Sequence, residues 1–133
     1  MKIFILDWNG TLDQLSDVPG FINQLRQQYP GCHVVLNTGW LYNLPKETIN
    51  LFDTTNNKNT EYEILAALIV EIDHWCKIDD AYSIADVEEV VIIDDSLYSS
   101  VCERLSLRIQ QETSRNISVS GYRSVSEFLG GEA

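Results

Sequence analysis

Ile3-Phe4-Ile5-Leu6-Asp7-Trp8-Asn9-Gly10-Thr11-Leu12 is the stretch on which the reading of the fold turns. Four apolar residues without polar alternation read as a strand buried on both faces, as strands of parallel sheets are. The run ends on one carboxylate, Asp7. Asn9 follows two positions later, then a glycine that permits a sharp turn, then the hydroxyl of Thr11. A single carboxylate at the end of a buried strand, followed by a tight polar turn, is how a nucleophile for phosphoryl chemistry is presented. Asn9 stands where a working acid/base would be a carboxylate.

Outward from this stretch, apolar runs alternate with helical patterns. Asp17 and Pro19 open a helix through Tyr29, which Pro30-Gly31 ends. Val34-Val35-Leu36 reads as a second buried strand, stopped by Asn37-Thr38-Gly39. Pro45 opens a short helix to about Leu51, and Asp53 to Thr60 is polar and loop-like. Thr60, Glu61 and Glu63 start a long helix to about Cys76, with Ile64, Leu65, Leu68, Ile69, Ile72 and Trp75 on its apolar face. Residues 79–89 read as irregular or a short helix. Val90 to Ile93 is a third buried strand, ending in Asp94-Asp95. A helix over Ser96 to Leu105, a fourth strand over Leu107 to Gln110 and a short helix over Ser124 to Leu129 complete the expectation. Doubly buried strands alternating with helices predict an α/β class fold: a three-layer, Rossmann-like domain with a mainly parallel sheet.

Size and composition bound the function. The 133 residues fit one domain, 1–133, and a hydrophobic fraction of 44% can supply a core. No apolar run approaches the roughly 20 residues of a membrane helix, and Met1-Lys2 with its short apolar run does not read as a signal peptide. The expected location is cytoplasmic. Cys32, Cys76 and Cys102 are scattered and odd in number, so they form neither a metal-ligand spacing nor a disulfide framework. His33 and His74 are isolated and read as structural or surface residues. The net charge of −11 argues against broad nucleic-acid binding, which needs Lys and Arg to displace counterions. Clustered carboxylates suit hard divalent cations instead.

In open parallel sheets, ligands bind beyond the carboxyl ends of the strands. Three expected strands end there in polar chemistry: Asp7 and Asn9, Thr38, and Asp94 with Asp95. One aspartate after an apolar run is usually a turn former or a helix cap. Three such ends on one sheet point to a site.

These residues resemble the motifs of the haloacid dehalogenase (HAD) superfamily. Asp7-Trp8-Asn9-Gly10-Thr11-Leu12 looks like its first motif, usually DxDGT. Leu36-Asn37-Thr38-Gly39 is similar to its second, and Val90-Val91-Ile92-Ile93-Asp94-Asp95 to its fourth. The third motif is a lysine between these last two. Lys77, in Cys76-Lys77-Ile78-Asp79, is preferred over Lys58, because its shorter gap to Asp94 resembles that of small cap-less members; Lys46 is a poor third. The segments after Leu12 and after Thr38 leave no room for a folded cap. In the family an open site implies a macromolecular substrate or a cap lent by another subunit. Trp8, Trp40, Tyr42 and Tyr98 either rim this site or pack around short loops.

The resemblance implies residue roles. Asp7 would be the nucleophile, forming an aspartyl-phosphate. Mg²⁺ would be held by Asp7, Asn9 through its main-chain carbonyl, Asp94 and Asp95. Phosphate oxygens would meet Thr38, Gly39, Lys77 and the backbone at Asn9, Gly10 and Thr11. In family phosphatases an aspartate at position 9 transfers the proton, a contribution of roughly 10²–10⁴-fold. Asn9 therefore predicts a weak or specialised phosphohydrolase acting on a phosphorylated substrate. The rival is a non-catalytic relative that binds a metal, a phosphorylated ligand or a protein. A receiver-like acidic α/β domain is disfavoured, because a receiver usually carries its acid pair on the first strand. Asn-Gly pairs also deamidate, and conversion of Asn9 would recreate the usual motif.

Overall fold

The computed structural model describes residues 2–39, 41–57, 66–71, 87–97, 99–113 and 116–130. Among them β1 (Lys2–Leu6), β2 (His33–Asn37), β3 (Thr54–Asn56), β4 (Glu89–Ile93) and β5 (Ser118–Tyr122) form one sheet in the order β3-β2-β1-β4-β5. Every pairing is parallel. The helices are α1 (Val18–Gln28), α2 (Lys46–Ile49), a helical stretch at 66–71 (α3), α4 (Ser99–Thr113) and α5 (Val125–Phe128). This is the three-layer, Rossmann-like α/β arrangement expected from the alternating runs.

The unalternating apolar strands are what make the sheet central. Ile3 and Ile5 of β1 face one way and join Val35, Val90 and Ile92 against Ala66 and Ile69 of α3 and Leu105 and Ile109 of α4. Phe4 and Leu6 face the other way and join Val34, Leu36, Val91 and Ile93 against Phe21, Ile22 and Leu25 of α1 and Val125 of α5. A strand with apolar side chains on both faces is stable only between two helical layers. Local capping agrees with the layers. The Asp17 carboxylate accepts from the Gly20 amide at 2.9 Å to begin α1, and the Ser124 hydroxyl accepts from the Glu127 amide at 3.0 Å to begin α5.

Three expectations change. Leu107 to Gln110 is not a strand but the interior of α4. The stripe Cys102, Leu105, Ser106 and Ile109 has helical spacing and turns inward, leaving Leu107 59% exposed. The fourth long strand is instead Ser118–Tyr122, which carries few apolar residues because it is an edge strand covered less completely. Within the Asn-rich segment read as a loop, Thr54–Asn56 forms the short opposite edge, β3. The helix expected from Ser96 begins at Ser99, after a turn through Asp95 and Ser96.

Few residues separate the strands from the helices that follow. Leu12–Gln14 forms one 3-10 turn before α1, and Leu41–Asn43 with the four-residue α2 fills the way from β2 to β3. Neither segment holds a folded cap, as expected. No helix of the described residues is long and apolar enough to cross a membrane.

Candidate metal and phosphoryl site

In the order β3-β2-β1-β4-β5 the chain first builds outward from β1 to one side and then resumes on the other, with β4. The crevice at such a reversal lies between the carboxyl ends of the two central strands. Asp7 follows β1 and Asp94 follows β4, so both acids fall at this point. The last rungs of the sheet set them in place: the Asp7 amide donates to the Ile93 carbonyl, and the Asp94 amide to the Tyr122 carbonyl, each at 3.0 Å. Asp7 is 2% and Asp94 7% exposed, whereas Asp95 faces solvent.

Carboxylate oxygens of Asp7, Asp94 and Asp95 lie within 4.8 Å of one another. Three anions at that separation repel, and a cation between them removes the repulsion. The donors are all hard oxygens, the set that Mg²⁺ and Ca²⁺ take.

The turn after Asp7 is closed from within. The Thr11 amide donates to the Trp8 carbonyl at 3.2 Å, and the Leu12 amide to the Asp7 carbonyl at 3.3 Å. The Gly10 amide donates to the Asp13 carboxylate at 2.8 Å. Among the described residues no acceptor takes the Trp8 or Asn9 amide. Gly10 has φ +75°, and a Cβ there would stand 2.8 Å from Cγ of Asp95 and closer still to a carboxylate oxygen. Its missing side chain is therefore what lets Asp95 lie against the first loop. The Thr11 hydroxyl joins the two loops: it donates to the Asp7 carboxylate at 3.4 Å and accepts from the Asp95 amide at 3.3 Å.

Ser96, Arg123, Asp13 and Gln14 brace this arrangement. The Ser96 amide donates to the Asp94 carboxylate at 2.9 Å, an aspartate turn that orients the acid. The Arg123 guanidinium donates to the Asp95 carbonyl through Nη2 at 3.1 Å and Nε at 3.4 Å. Asp13 holds the Gly10 amide, and Gln14 donates to the same carboxylate at 3.1 Å. The Asp-x-Ser spacing was a readable signal for Ser96. Arg123 reads from the chain as a surface residue before a ligand contact, and only the sheet, which brings β5 beside β4, sets it against the Asp95 carbonyl.

The remaining expected site residues divide. Thr38 follows β2, is 1% exposed, and its amide donates to the Asn56 carbonyl at 3.0 Å. Gly39 is exposed, with space for a Cβ. Asn9 is half-buried in the first loop. Trp8 packs partly buried against the α1 face of the core. Lys77, Lys58, Trp40 and Tyr98 lie outside the described residues, as does the side chain of Tyr42. Of the cysteines described, Cys32 and Cys102 are free, and burial pushes both thiols up.

Fold and site together define an acid-ended parallel α/β sheet with a cation-sized carboxylate cluster at its switch point. Comparison with protein-family models, with curated proteins and with solved structures returns no match.

Proposed function

We propose that this protein is a HAD-like, Mg²⁺-dependent phosphohydrolase of attenuated turnover, working through an aspartyl-phosphate on Asp7. The observation that carries the proposal is the convergence of Asp7, Asp94 and Asp95 within 4.8 Å at the β1–β4 switch point. Mg²⁺ would be held by the three carboxylates and the Asn9 carbonyl, and when bound it neutralises phosphate charge. An oxygen of Asp7 attacks phosphorus while the bond to the ester oxygen breaks, and water later releases phosphate from Asp7. Asp7 is tied to Ile93 through its backbone, so its carboxylate is presented in a preset direction. The Trp8 and Asn9 amides, Thr38 and a lysine, Lys77 before Lys58, would receive the phosphate oxygens. Asn9 can donate a hydrogen bond to the leaving oxygen but cannot exchange a proton, so the slow point is proton transfer.

A binding protein for metal or phosphorylated ligand is the second reading, and Asn9 is the residue that favours it. A phosphate-ester panel with Mg²⁺ separates the two. Turnover should rise by roughly 10²-fold in Asn9→Asp and vanish in Asp7→Asn. Absence of turnover in every form, Asn9→Asp included, overturns the enzyme reading, and Mg²⁺ titration by calorimetry then tests the binding one. Among the described residues the segments after Leu12 and Thr38 are too short for a folded cap, which suits a macromolecular phosphoester.

A further inference from the structure

Asn9 is followed by glycine, and that glycine is fixed by the site itself, since a Cβ at position 10 would strike the Asp95 carboxylate. The residue that lets Asp95 join the cluster thus also makes Asn9 chemically labile, because a glycine nitrogen is the least hindered nucleophile toward a preceding asparagine. The nitrogen in question is not idle. The Gly10 N–H points at the Asp13 carboxylate at 2.8 Å, within the reach of a general base and the proton it takes. Asp13 is exposed and accepts a hydrogen bond from Gln14 at 3.1 Å, so its side chain is held in place while still meeting solvent. Asn9 is half-buried, so water can reach the product of such an attack.

We infer that Asn9 is a self-modification site: with Asp13 as base, the Gly10 nitrogen cyclises onto the Asn9 side chain, and hydrolysis leaves aspartate at position 9. As the Gly10 nitrogen bonds to Cγ of Asn9, its proton passes to Asp13. The Cγ–Nδ2 bond breaks, and ammonia leaves with the proton that Asp13 returns. Water then opens the five-membered imide. Breaking the new Cγ–N bond regenerates the Gly10 amide and yields aspartate; breaking the bond to the main-chain carbonyl carbon would yield isoaspartate. The balance is asparagine plus water to aspartate plus ammonia, with no other reactant. An aspartate at position 9 would supply the proton-transferring carboxyl that Asn9 lacks. That last consequence rests on the phosphohydrolase reading; the conversion itself does not.

The test is timed incubation of the full chain at neutral pH, followed by peptide mass mapping. Conversion is expected at Asn9 ahead of the other asparagines, with aspartate the main product. Asp13→Asn keeps an acceptor for the Gly10 amide but removes the base, and should slow conversion by roughly tenfold or more. A substitution that merely loosened the turn would accelerate it, so the direction of change separates base from scaffold. Retention of the Asn9 amide, unchanged or faster conversion in Asp13→Asn, or isoaspartate as the main product each overturns the inference. Hydrolysis of p-nitrophenyl phosphate, followed in parallel, should rise with the converted fraction toward that of Asn9→Asp. If Asn9→Asp is itself inert, the enzyme reading fails while the mass result still decides the modification.

Discussion

Thr11 shows how much one hydroxyl can organise. Phosphate contact was expected of its backbone; its hydroxyl ties the Asp7 carboxylate to the Asp95 amide. Thr11→Val keeps the shape and removes both hydrogen bonds of the bridge, at a cost of about 1 kcal/mol. Urea unfolding should show that loss, and calorimetric Mg²⁺ affinity should fall with it; unchanged affinity would mean the acids hold their places without the bridge. Asp7, Asp94 and Asp95, which the fold gathers, were legible from the chain because each ends or follows an apolar run. Arg123 and Asp13 were not, since a guanidinium and a carboxylate on polar loops look alike whether or not they brace a site. Only the fold brings Arg123 onto the Asp95 carbonyl.

Among the elements, β5 and α4 explain the misread part of the chain. Leu107 and Ile109 alternate with polar residues as a strand would, but the stripe through Cys102, Leu105 and Ile109 buries more apolar surface when wound as a helix. The strand then falls on Ser118–Tyr122, whose Gly121 sits beneath α4: a Cβ there would stand 2.7 Å from Sγ of Cys102. Gly121→Val should therefore overpack this contact and destabilise the fold by about 1–3 kcal/mol. Thermal melting checks it, and a stability equal to wild type would mean Leu97 and Cys102 yield freely. The close approach matters for the site because the Asp94 amide hangs on the Tyr122 carbonyl at the end of the same strand.

Across the whole molecule, stability should carry a pH signature from the edge opposite the site. His33, at the start of β2, is buried, and its Nε2 lies 2.6 Å from the Thr54 hydroxyl of β3. Burial pushes its pKa below 6.5; the nearby Arg26 adds to this and Asp53 opposes it. The native state thus resists a proton that the unfolded chain accepts. Stability is full above about pH 6.5 and declines as pH falls below it. Urea midpoints from pH 7.5 downward should show that decline, and His33→Gln should blunt it; an equal slope in the variant would assign it to other groups. The sequence by itself determined the central strands, their two-sided burial and the acids at their ends, because apolar periodicity and strand termination are local properties. Tertiary structure alone decided the edge strands and which acids meet. Edges bury too little for composition to mark them, and strand order, which puts β4 beside β1, is set by packing between segments far apart in the chain.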